Sequence, residues 1–335
     1  MFHQYIAIVV GAGASAEYGM PTGAALKNKV ASGVRFASRR LEDQDLNAAL
    51  SSLYANCRDA YKTAGEELAQ HILSGVPSID DALTWFSSRQ EVVDIGKTVI
   101  AYEILKAERS SPLYSGTLEL APNKNFDDTW MPHFLSMVMS GHKNENAESA
   151  FEKVYIINFN YDRSIEHFLY SELQYRYGIS DSRSKRIVTE LNMFRPYGTI
   201  GNLPWQPGAG LAFGESPQPA RLFEASTNIF TFSEGATEKV RSQIQAALAR
   251  ARVCIFIGFG FHTQNMNLLR SGSAEAWRRA YATVKGISPE NHRDLAFGIA
   301  QIVGCLEPHM PKLLDWTAHK LLTDLRPALM AASAM

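Results

Sequence analysis

A glycine-rich segment near the start of the chain could bind a phosphate group. Gly11, Gly13 and Ala16 satisfy the pattern G-x-G-x-x-G/A. In that pattern the glycines permit a tight turn and let backbone N–H groups approach a pyrophosphate at the start of a helix. The pattern is weak by itself, because a purely structural turn can carry the same residues. Both interpretations therefore stay open for this segment.

Two later segments also carry residue types that are suited to binding or chemistry. Asn160 and Asp162 place an amide and a carboxylate two residues apart, and such groups can bind polar groups of a ligand. The same triplet could instead form an Asx turn that caps the following helix. The third segment runs from Gly258 to His262, and its glycines, Gly258 and Gly260, allow the backbone to approach a ligand closely.

All three segments directly follow short apolar runs. The runs cover Tyr5 to Val10, Val154 to Asn158 and Val253 to Ile257, and their composition is typical of strands buried on both faces of a parallel sheet. Strands that alternate with helices predict an α/β fold, here a Rossmann-like parallel sheet flanked by helices. Ligands bind beyond the carboxyl ends of the strands in such sheets, so we expect one composite site.

The stretch from residue 35 to residue 150 differs from the rest of the sequence. Charged and apolar residues mix there at helical spacing and strand-like runs are scarce, which predicts a mostly helical insertion. Ser78 is the expected N-cap of one helix, with acidic residues in its first turn. Residues 1–34 and 151–335 are then predicted to form the Rossmann-like core.

Further predictions concern the connecting segments and the C-terminal part. We expect loops at 110–128, 141–148 and 194–205, short strands at 228–232 and 281–284, and a helix at 238–252. The leucines between Lys312 and Met330 predict a helix there.

The composition excludes several classes of protein. Of the 335 residues, 46% are hydrophobic, so the chain can bury a sizeable core. The net charge of −1 argues against nucleic-acid binding by bulk electrostatics. No apolar run approaches the ~20 residues of a membrane span, and the N-terminal residues lack the features of a signal peptide. We therefore expect a cytoplasmic protein.

Cysteine spacing and acidic residues limit the chemistry further. Cys57, Cys254 and Cys305 lie far apart without a CxxC pair, so we expect buried or partly buried thiols and neither disulfides nor bound metal. A conventional dehydrogenase needs an acidic residue after a second strand, about 20 residues beyond the glycines. Residues 26–40 contain neither an acid nor a convincing strand, which argues against hydride transfer.

The combination of motifs resembles the sirtuin-like family. The segment from Gly11 to Gly23 resembles the opening motif GAG-x-S-x-x-x-G followed by Ile or Leu, where this chain has Met20, and then Pro. Asn160-Tyr161-Asp162 resembles the N-x-D element of that family. In its bacterial branch, Gly258-Phe259-Gly260-Phe261 with Asn265 resembles a late G-F-G-F segment, and Ser78 to Asp81 resembles a stretch of Ser, an aliphatic residue and two acids.

This resemblance implies that the chain binds NAD and cleaves its nicotinamide–ribose bond. By position in the motifs, Asn160 would hold the nicotinamide ribose or position the attacking water, and Asp162 would face the nicotinamide carboxamide. The remaining binding residues that it implies are Gly11, Ala12, Gly13 and Ser15 around the phosphates and neighbouring ribose, Gly258 and Gly260 toward the adenosine half, and Pro21, Thr22 and Asn265 elsewhere in the cofactor site.

Two departures from the family pattern bear on the activity. The zinc module of true sirtuins needs four cysteines, which this chain lacks, so a zinc-containing protein deacylase is not expected. Tyr197 stands where the family has its catalytic His, and a phenol with a pKa near ~10 is a poor general base. His262 and His167 are weak candidates for a substitute base, and Trp205 could stack on a ligand ring.

The expected function is hydrolysis of NAD to nicotinamide and ADP-ribose, with Asn160, Asp162 and Tyr197 as the catalytic residues. The resemblance places this reaction in bacterial antiphage defence, in a homo-oligomer or with a separately encoded sensor or ATPase. A second hypothesis is an inactive NAD or ADP-ribose binding module that regulates assembly with a partner. A third is an NAD-dependent transferase.

Overall fold

Six parallel strands form the sheet at the centre of the protein. The computed structural model describes residues 2–35, 44–116, 125–208, 210–270, 278–305 and 309–332. The strands in these ranges are β1 Ile6–Val10, β2 Val154–Asn158, β3 Met193–Phe194, β4 Val253–Ile257, β5 Arg279–Thr283 and β6 Lys312–Leu314. Their order in the sheet is β3-β2-β1-β4-β5-β6, and every neighbouring pair is parallel. This is the strand order of doubly wound α/β folds, and it confirms the predicted fold class.

The three central strands end at the same level. Val10 of β1 pairs with Asn158 of β2 on one side and with Ile257 of β4 on the other. All residues of these strands are buried, as the apolar β-branched runs predict for strands covered on both faces. The register places the segments that follow them side by side at the carboxyl edge of the sheet.

Helices cover both faces of the sheet. Their bounds are α1 Ala12–Ser15, α2 Gly23–Gly33, α3 Gln44–Leu53, α4 Arg58–Leu73, α5 Ile79–Trp85, α6 Gln90–Ser110, α7 Trp130–Val138, α8 Ser164–Tyr175, α9 Asp181–Thr189, α10 Pro219–Thr227, α11 Glu238–Arg250, α12 Thr263–Leu269, α13 His292–Val303, α14 Ala318–Asp324 and α15 Arg326–Ala332. Because side chains alternate along a strand, Ile6 and Ile8 of β1 pack on the side of α7, α8 and α14. Ala7 and Val9 pack on the side of α11 and α13.

A separate apolar core holds most of the helices that lie between β1 and β2 in the chain. Helices α2 to α6 share this core with α10, and Tyr161 and Tyr197 reach it from the sheet edge. Arg163, next to the end of β2, makes a fully buried ion pair with Glu108 of α6, at 2.6 Å. That pair ties the helices to the sheet. The division into a core and an insertion at residues 35 and 150 stays a prediction.

The predicted helix from Lys312 to Met330 is wrong in its first part. Lys312–Leu314 is the edge strand β6, and Leu313 pairs with Ala282 of β5. The helix α14 begins only after Thr317, whose side chain accepts a hydrogen bond from the N–H of Lys320. Adjacent leucines suit a short strand and a helix equally, so the apolar pattern did not distinguish the two.

Smaller predictions also need correction. The expected strand at 228–232 is reduced to one bridge between Ile229 and Gly198. The expected loop at 141–148 contains the start of the 3₁₀ segment Asn144–Phe151. Cys57 is exposed rather than buried, whereas Cys254 and Cys305 are buried. Within the predicted loop at 110–128, residues 117–124 lie outside the described ranges.

Candidate active site at the carboxyl edge of the sheet

A cavity of about 680 Å³ follows the carboxyl edge of the whole sheet. Its volume is within the range of small-molecule sites. The segment after every strand contributes to the wall, from Tyr197 after β3 to Trp316 after β6. Since neighbouring strands lie about 4.8 Å apart, six strands span roughly 24 Å, which suits an elongated ligand. We call the two extremes the β2/β3 end and the β5/β6 end.

The cavity brings together almost all residues that the sequence predicts for the site. Those that line it are Gly11, Ala12, Gly13, Pro21, Thr22, Asn160, Asp162, Tyr197, Gly258, Gly260 and Asn265. Ser15 is buried behind the wall, where its hydroxyl oxygen accepts a hydrogen bond from the Asn160 amide, at 2.8 Å. The expected composite site is therefore present as an arrangement of residues.

The glycine turns after β1 and β4 pack backbone against backbone. The N–H of Gly13 donates to the carbonyl oxygen of Gly258, at 2.9 Å. A Cβ on Gly11 would lie 2.5 Å from that oxygen, and a Cβ on Gly258 would lie 1.9 Å from the nitrogen of Ala14. Gly258 also has a φ of 57°, which disfavours other residues. The glycines are thus required by the contact between the two turns, and this contact shapes the centre of the cavity.

Asn160 is held rigidly at the β2/β3 end. Its side-chain amide donates to Ser15, and its backbone N–H donates to the side-chain oxygen of Asn158, at 3.0 Å. The residue is 6% exposed and borders the cavity. A fixed polar group of this kind can orient a ligand hydroxyl or a water without reorganising.

Asp162 forms the Asx turn that the sequence left open as an alternative. Its Oδ1 accepts a hydrogen bond from the N–H of Ser164, at 3.1 Å, at the start of α8. The side chain is 3% exposed while still bordering the cavity. The structure therefore gives Asp162 a structural contact whether or not it also meets a ligand.

Arg195 holds the Asn160–Asp162 segment in place, a role that the sequence did not reveal. Its guanidinium donates to the carbonyl oxygens of Asn160, at 2.6 Å, and Asp162, at 3.1 Å. It also forms a buried ion pair with both oxygens of Glu166, at 2.6 and 2.8 Å. A signal for this role is hard to find in the sequence, because the bonds reach backbone atoms more than thirty residues away.

Tyr197 is buried with its hydroxyl already engaged. The hydroxyl donates to Oδ1 of Asn265, at 2.7 Å, so these two predicted site residues are in direct contact. Burial, and then the negative charge of Asp80, raises the pKa of the Tyr197 hydroxyl well above its ordinary value. The phenol stays protonated at neutral pH, so it can donate a hydrogen bond and is no general base.

Asp80 is a carboxylate at the β2/β3 end that the sequence did not assign to the site. It lies in the first turn of α5, where Ser78 caps the helix as expected by accepting from the N–H of Asp81. The hydroxyl of Tyr161 donates to Oδ1 of Asp80, at 2.9 Å. Burial raises the pKa of the Asp80 carboxyl to about 6, while the bond from Tyr161 opposes the rise. The two acids that follow Ser78 were the only signal in the sequence.

Glu17 is a second carboxylate on the wall that was not predicted. Its oxygens accept hydrogen bonds from the backbone N–H of Trp130 and of His319, each at 2.9 Å, at the first turns of α7 and α14. Burial raises the pKa of the Glu17 carboxyl, and the two N–H bonds work against that rise. Both of its oxygens are thereby used to join helices, which is a structural role.

The histidines and Trp205 occupy different places. His262 borders the cavity just before α12. His167 is buried against Phe213 and lies outside the cavity wall, with Nε2 at 3.2 Å from the carbonyl oxygen of Leu113. Burial lowers the pKa of His167 to about 4. Trp205 stacks on Tyr170, away from the wall. Of these candidates, only His262 can reach a ligand in the cavity.

The β5/β6 end has a different character. Its wall consists of Thr283, Val284, Lys285, Ile287, Trp316 and Thr317. The hydroxyl oxygen of Thr283 accepts a hydrogen bond from the N–H of Gly258, at 2.8 Å, which links this end to the central turns. An aromatic ring and a lysine beside apolar side chains can hold a flat ring and an anionic group.

Neither a membrane-spanning helix nor a metal-binding cluster occurs among the described residues. Within those ranges, no helix combines the length and the apolar character needed to cross a membrane. Nor does any group of three or more His, Cys, Asp or Glu side chains among the described residues have an arrangement that could hold a metal ion.

Similarity to known proteins is weak. No protein-family model matches the sequence, and no curated protein matches it either. A solved structure of a mutant Sir2 homologue in complex with 2'-O-acetyl-ADP-ribose aligns with this chain at 12% sequence identity and a TM-score of 0.41. The alignment covers 99% of this chain and 94% of that one.

Proposed function

We propose that this chain is a sirtuin-like protein that binds NAD and hydrolyses it to nicotinamide and ADP-ribose. The observation that carries the proposal is the cavity along the carboxyl ends of all six strands. In doubly wound sheets a dinucleotide lies across the point where the strand order reverses, which is between β1 and β4 here. Two of the motifs that resemble the family, the glycine turns after β1 and β4, meet at that point.

The chemistry would take place at the β2/β3 end. Cleavage of the bond between ribose and nicotinamide develops positive charge on the ribose, so nearby fixed polar and negative groups favour the transition state. Asn160 would hold the ribose or the attacking water. The protonated Tyr197, whose single O–H proton is donated to Asn265, would hold that side chain in place and would not act as a base. The β5/β6 end would take the adenosine half, with Trp316 beside the base.

Turnover of NAD by the purified protein tests the proposal. We expect nicotinamide and ADP-ribose to appear together, as measured by chromatography. Asn160→Ala should lower kcat by about 100-fold or more, because a preorganised polar group at the reacting centre is lost. The exposed Asn291→Ala serves as the matched control. Tyr197→Phe should cost less than about 10-fold, since it removes one donor and no base. Absence of both turnover and saturable NAD binding would overturn the proposal.

An inactive NAD or ADP-ribose binding module is the second candidate. The bond between Tyr197 and Asn265 favours it, because the group in the place of the family's His is occupied within the protein. Saturable NAD binding without turnover, altered by Asn160→Ala only in affinity, would support this alternative.

Transfer of label from NAD to a protein or nucleic acid would instead indicate a transferase. A zinc-containing deacylase is not proposed, because the chain has only three cysteines.

The biological setting of the proposal is NAD depletion in the bacterial cytoplasm during antiphage defence. The resemblance of the motifs to the family is the basis for this setting. It is also the basis for the proposed assembly into an oligomer or with a separate sensor or ATPase. We expect cells that express the chain to lose NAD after phage infection, and cells that express Asn160→Ala to keep it. The oligomeric state can be measured by light scattering with and without NAD.

A further inference from the structure

This inference rests on the proposed hydrolysis of NAD, a reaction that releases one proton. A group in the site has to accept that proton. The attacking water loses that proton as its oxygen bonds to the ribose carbon. Tyr197 cannot take it, because its hydroxyl is protonated and donates to Asn265. Both oxygens of Glu17 are used by helix N–H groups. Asp162 has one oxygen engaged by the N–H of Ser164 at the start of α8, so among the described wall residues Asp80, the second oxygen of Asp162 and His262 are left as acceptors to compare.

Asp80 is placed where such an acceptor is needed. It borders the cavity together with Asn160 and Tyr197. Its Oδ1 accepts a hydrogen bond from the hydroxyl of Tyr161, the residue between Asn160 and Asp162. This bond fixes the carboxylate next to two of the predicted catalytic residues. Its helix is capped by Ser78. The Asp80 carboxylate of α5 is thus fixed at the β2/β3 end of the cavity.

We propose that Asp80 is the general base of the reaction, accepting a proton from the water that attacks the nicotinamide-bearing carbon of the ribose. In this step the bond from carbon to nicotinamide breaks and its electron pair leaves with neutral nicotinamide. The water oxygen forms the new bond to carbon, and its proton moves to the Asp80 carboxylate. Solvent then receives the proton. Atoms and charge balance with no further reactant.

The surroundings of Asp80 suit a base that works near neutral pH. Asp81 and the hydroxyl of Tyr161 act on it electrostatically, and Asp80 in turn acts on Tyr197. Asp162, Glu17, His262 and Lys285 are further ionisable groups on the described wall.

The helices packed against α5 are α2, α4 and α6, and several of their charged or titratable groups are engaged with partners other than Asp80. Lys29 pairs with Glu103, Lys97 pairs with Glu234, and Glu67 pairs with Arg89. Lys27 donates to the carbonyl oxygen of Val76, and His71 stacks on Trp85. The lysines of these contacts therefore bond to groups other than the Asp80 carboxylate.

The test compares Asp80→Asn with Asp81→Asn in the full chain. Asp81 lies outside the cavity wall, where it accepts bonds from Ser78 and Gln264, and it provides the matched acid-to-amide change. We expect Asp80→Asn to lower kcat by about 100-fold or more with KM changed by less than about threefold, because general-base catalysis contributes roughly that factor. Asp81→Asn should retain kcat. The acidic limb of the pH–kcat profile, centred near pH 6 in the wild type, should vanish from the residual activity of Asp80→Asn.

Tyr161→Phe gives a readout that a merely structural role would not move. The hydroxyl of Tyr161 stabilises the charged carboxylate, so its removal should shift the acidic limb to higher pH. Asp80→Glu, which keeps a carboxylate, should retain more activity than Asp80→Asn and keeps the test valid if the amide variant folds poorly. If the wild type turns over NAD, two results would overturn this inference alone. One is an Asp80→Asn variant with the kcat of the wild type. The other is an acidic limb that stays unchanged in both Asp80→Asn and Tyr161→Phe. A wild type without turnover would overturn the proposed function and the inference together.

Discussion

The two ends of the cavity are built by different means. At the β2/β3 end, Asn160, Tyr161 and Tyr197 are each held by a side-chain hydrogen bond to a distant part of the chain. At the β5/β6 end, Trp316 and Lys285 line the wall beside apolar residues. A rigid polar network suits chemistry, whereas an aromatic and apolar wall suits binding. Under the proposed function, one elongated ligand would thus be held at the β5/β6 end and altered at the β2/β3 end.

The contact between the glycine turns joins the two ends, so breaking it should have the largest effect. Gly258→Ala would place a Cβ 1.9 Å from the nitrogen of Ala14 in a left-handed backbone conformation. We expect the free energy of unfolding to fall by roughly 3 kcal/mol or more, since backbone atoms cannot yield as side chains do. Gly23→Ala is the control, because nothing lies within 4 Å of a Cβ there. Equal denaturation midpoints for the two variants would contradict the described packing.

Trp316→Ala tests whether the β5/β6 end binds the ligand. Stacking of a base on an aromatic ring contributes about 1–3 kcal/mol, so we expect KM for NAD to rise roughly 10-fold or more with kcat unchanged. Trp85→Ala is the matched control, because Trp85 is 73% exposed and lies outside the cavity wall. Steady-state kinetics on both variants measure the effect. A fall in kcat without a change in KM would place the adenosine half elsewhere.

The smallest expected effect is a change in the free energy of unfolding when Asp80, at the β2/β3 end, is replaced. The pKa of Asp80 is raised from 3.8 to about 6 in the folded protein, so its contribution to stability is full at low pH and is lost as pH rises through about 6. Asp80→Asn resembles the neutral form. We expect it to be more stable than the wild type by roughly 1–3 kcal/mol at pH 7.5 and equal to it below about pH 3.

Asp81→Asn should show no such pH-dependent gain, which thermal unfolding at the two pH values can verify. A loss of stability in Asp80→Asn at pH 7.5 would show that the carboxylate is needed for folding rather than for chemistry.

The sequence predicts the centre of the site better than its ends. Buried apolar runs followed by glycines identify β1 and β4, and the parallel register brings their turns together. The edge strand β6 escaped prediction because Leu313 and Leu314 fit a helix equally well. Asp80 and Arg195 escaped it because each reaches the site through partners far away in the sequence. Local patterns predict local elements, while such contacts depend on how the helices pack on the sheet.

The most direct test is the initial rate of nicotinamide release over a range of NAD concentrations, with Asn160→Ala and Trp316→Ala measured beside the wild type. We expect Asn160→Ala to lose kcat with KM nearly unchanged, and Trp316→Ala to raise KM with kcat nearly unchanged. This split would show that one cavity holds NAD at the β5/β6 end and cleaves it at the β2/β3 end. Release of no nicotinamide by the wild type, or the same kinetic change in both variants, would contradict that claim.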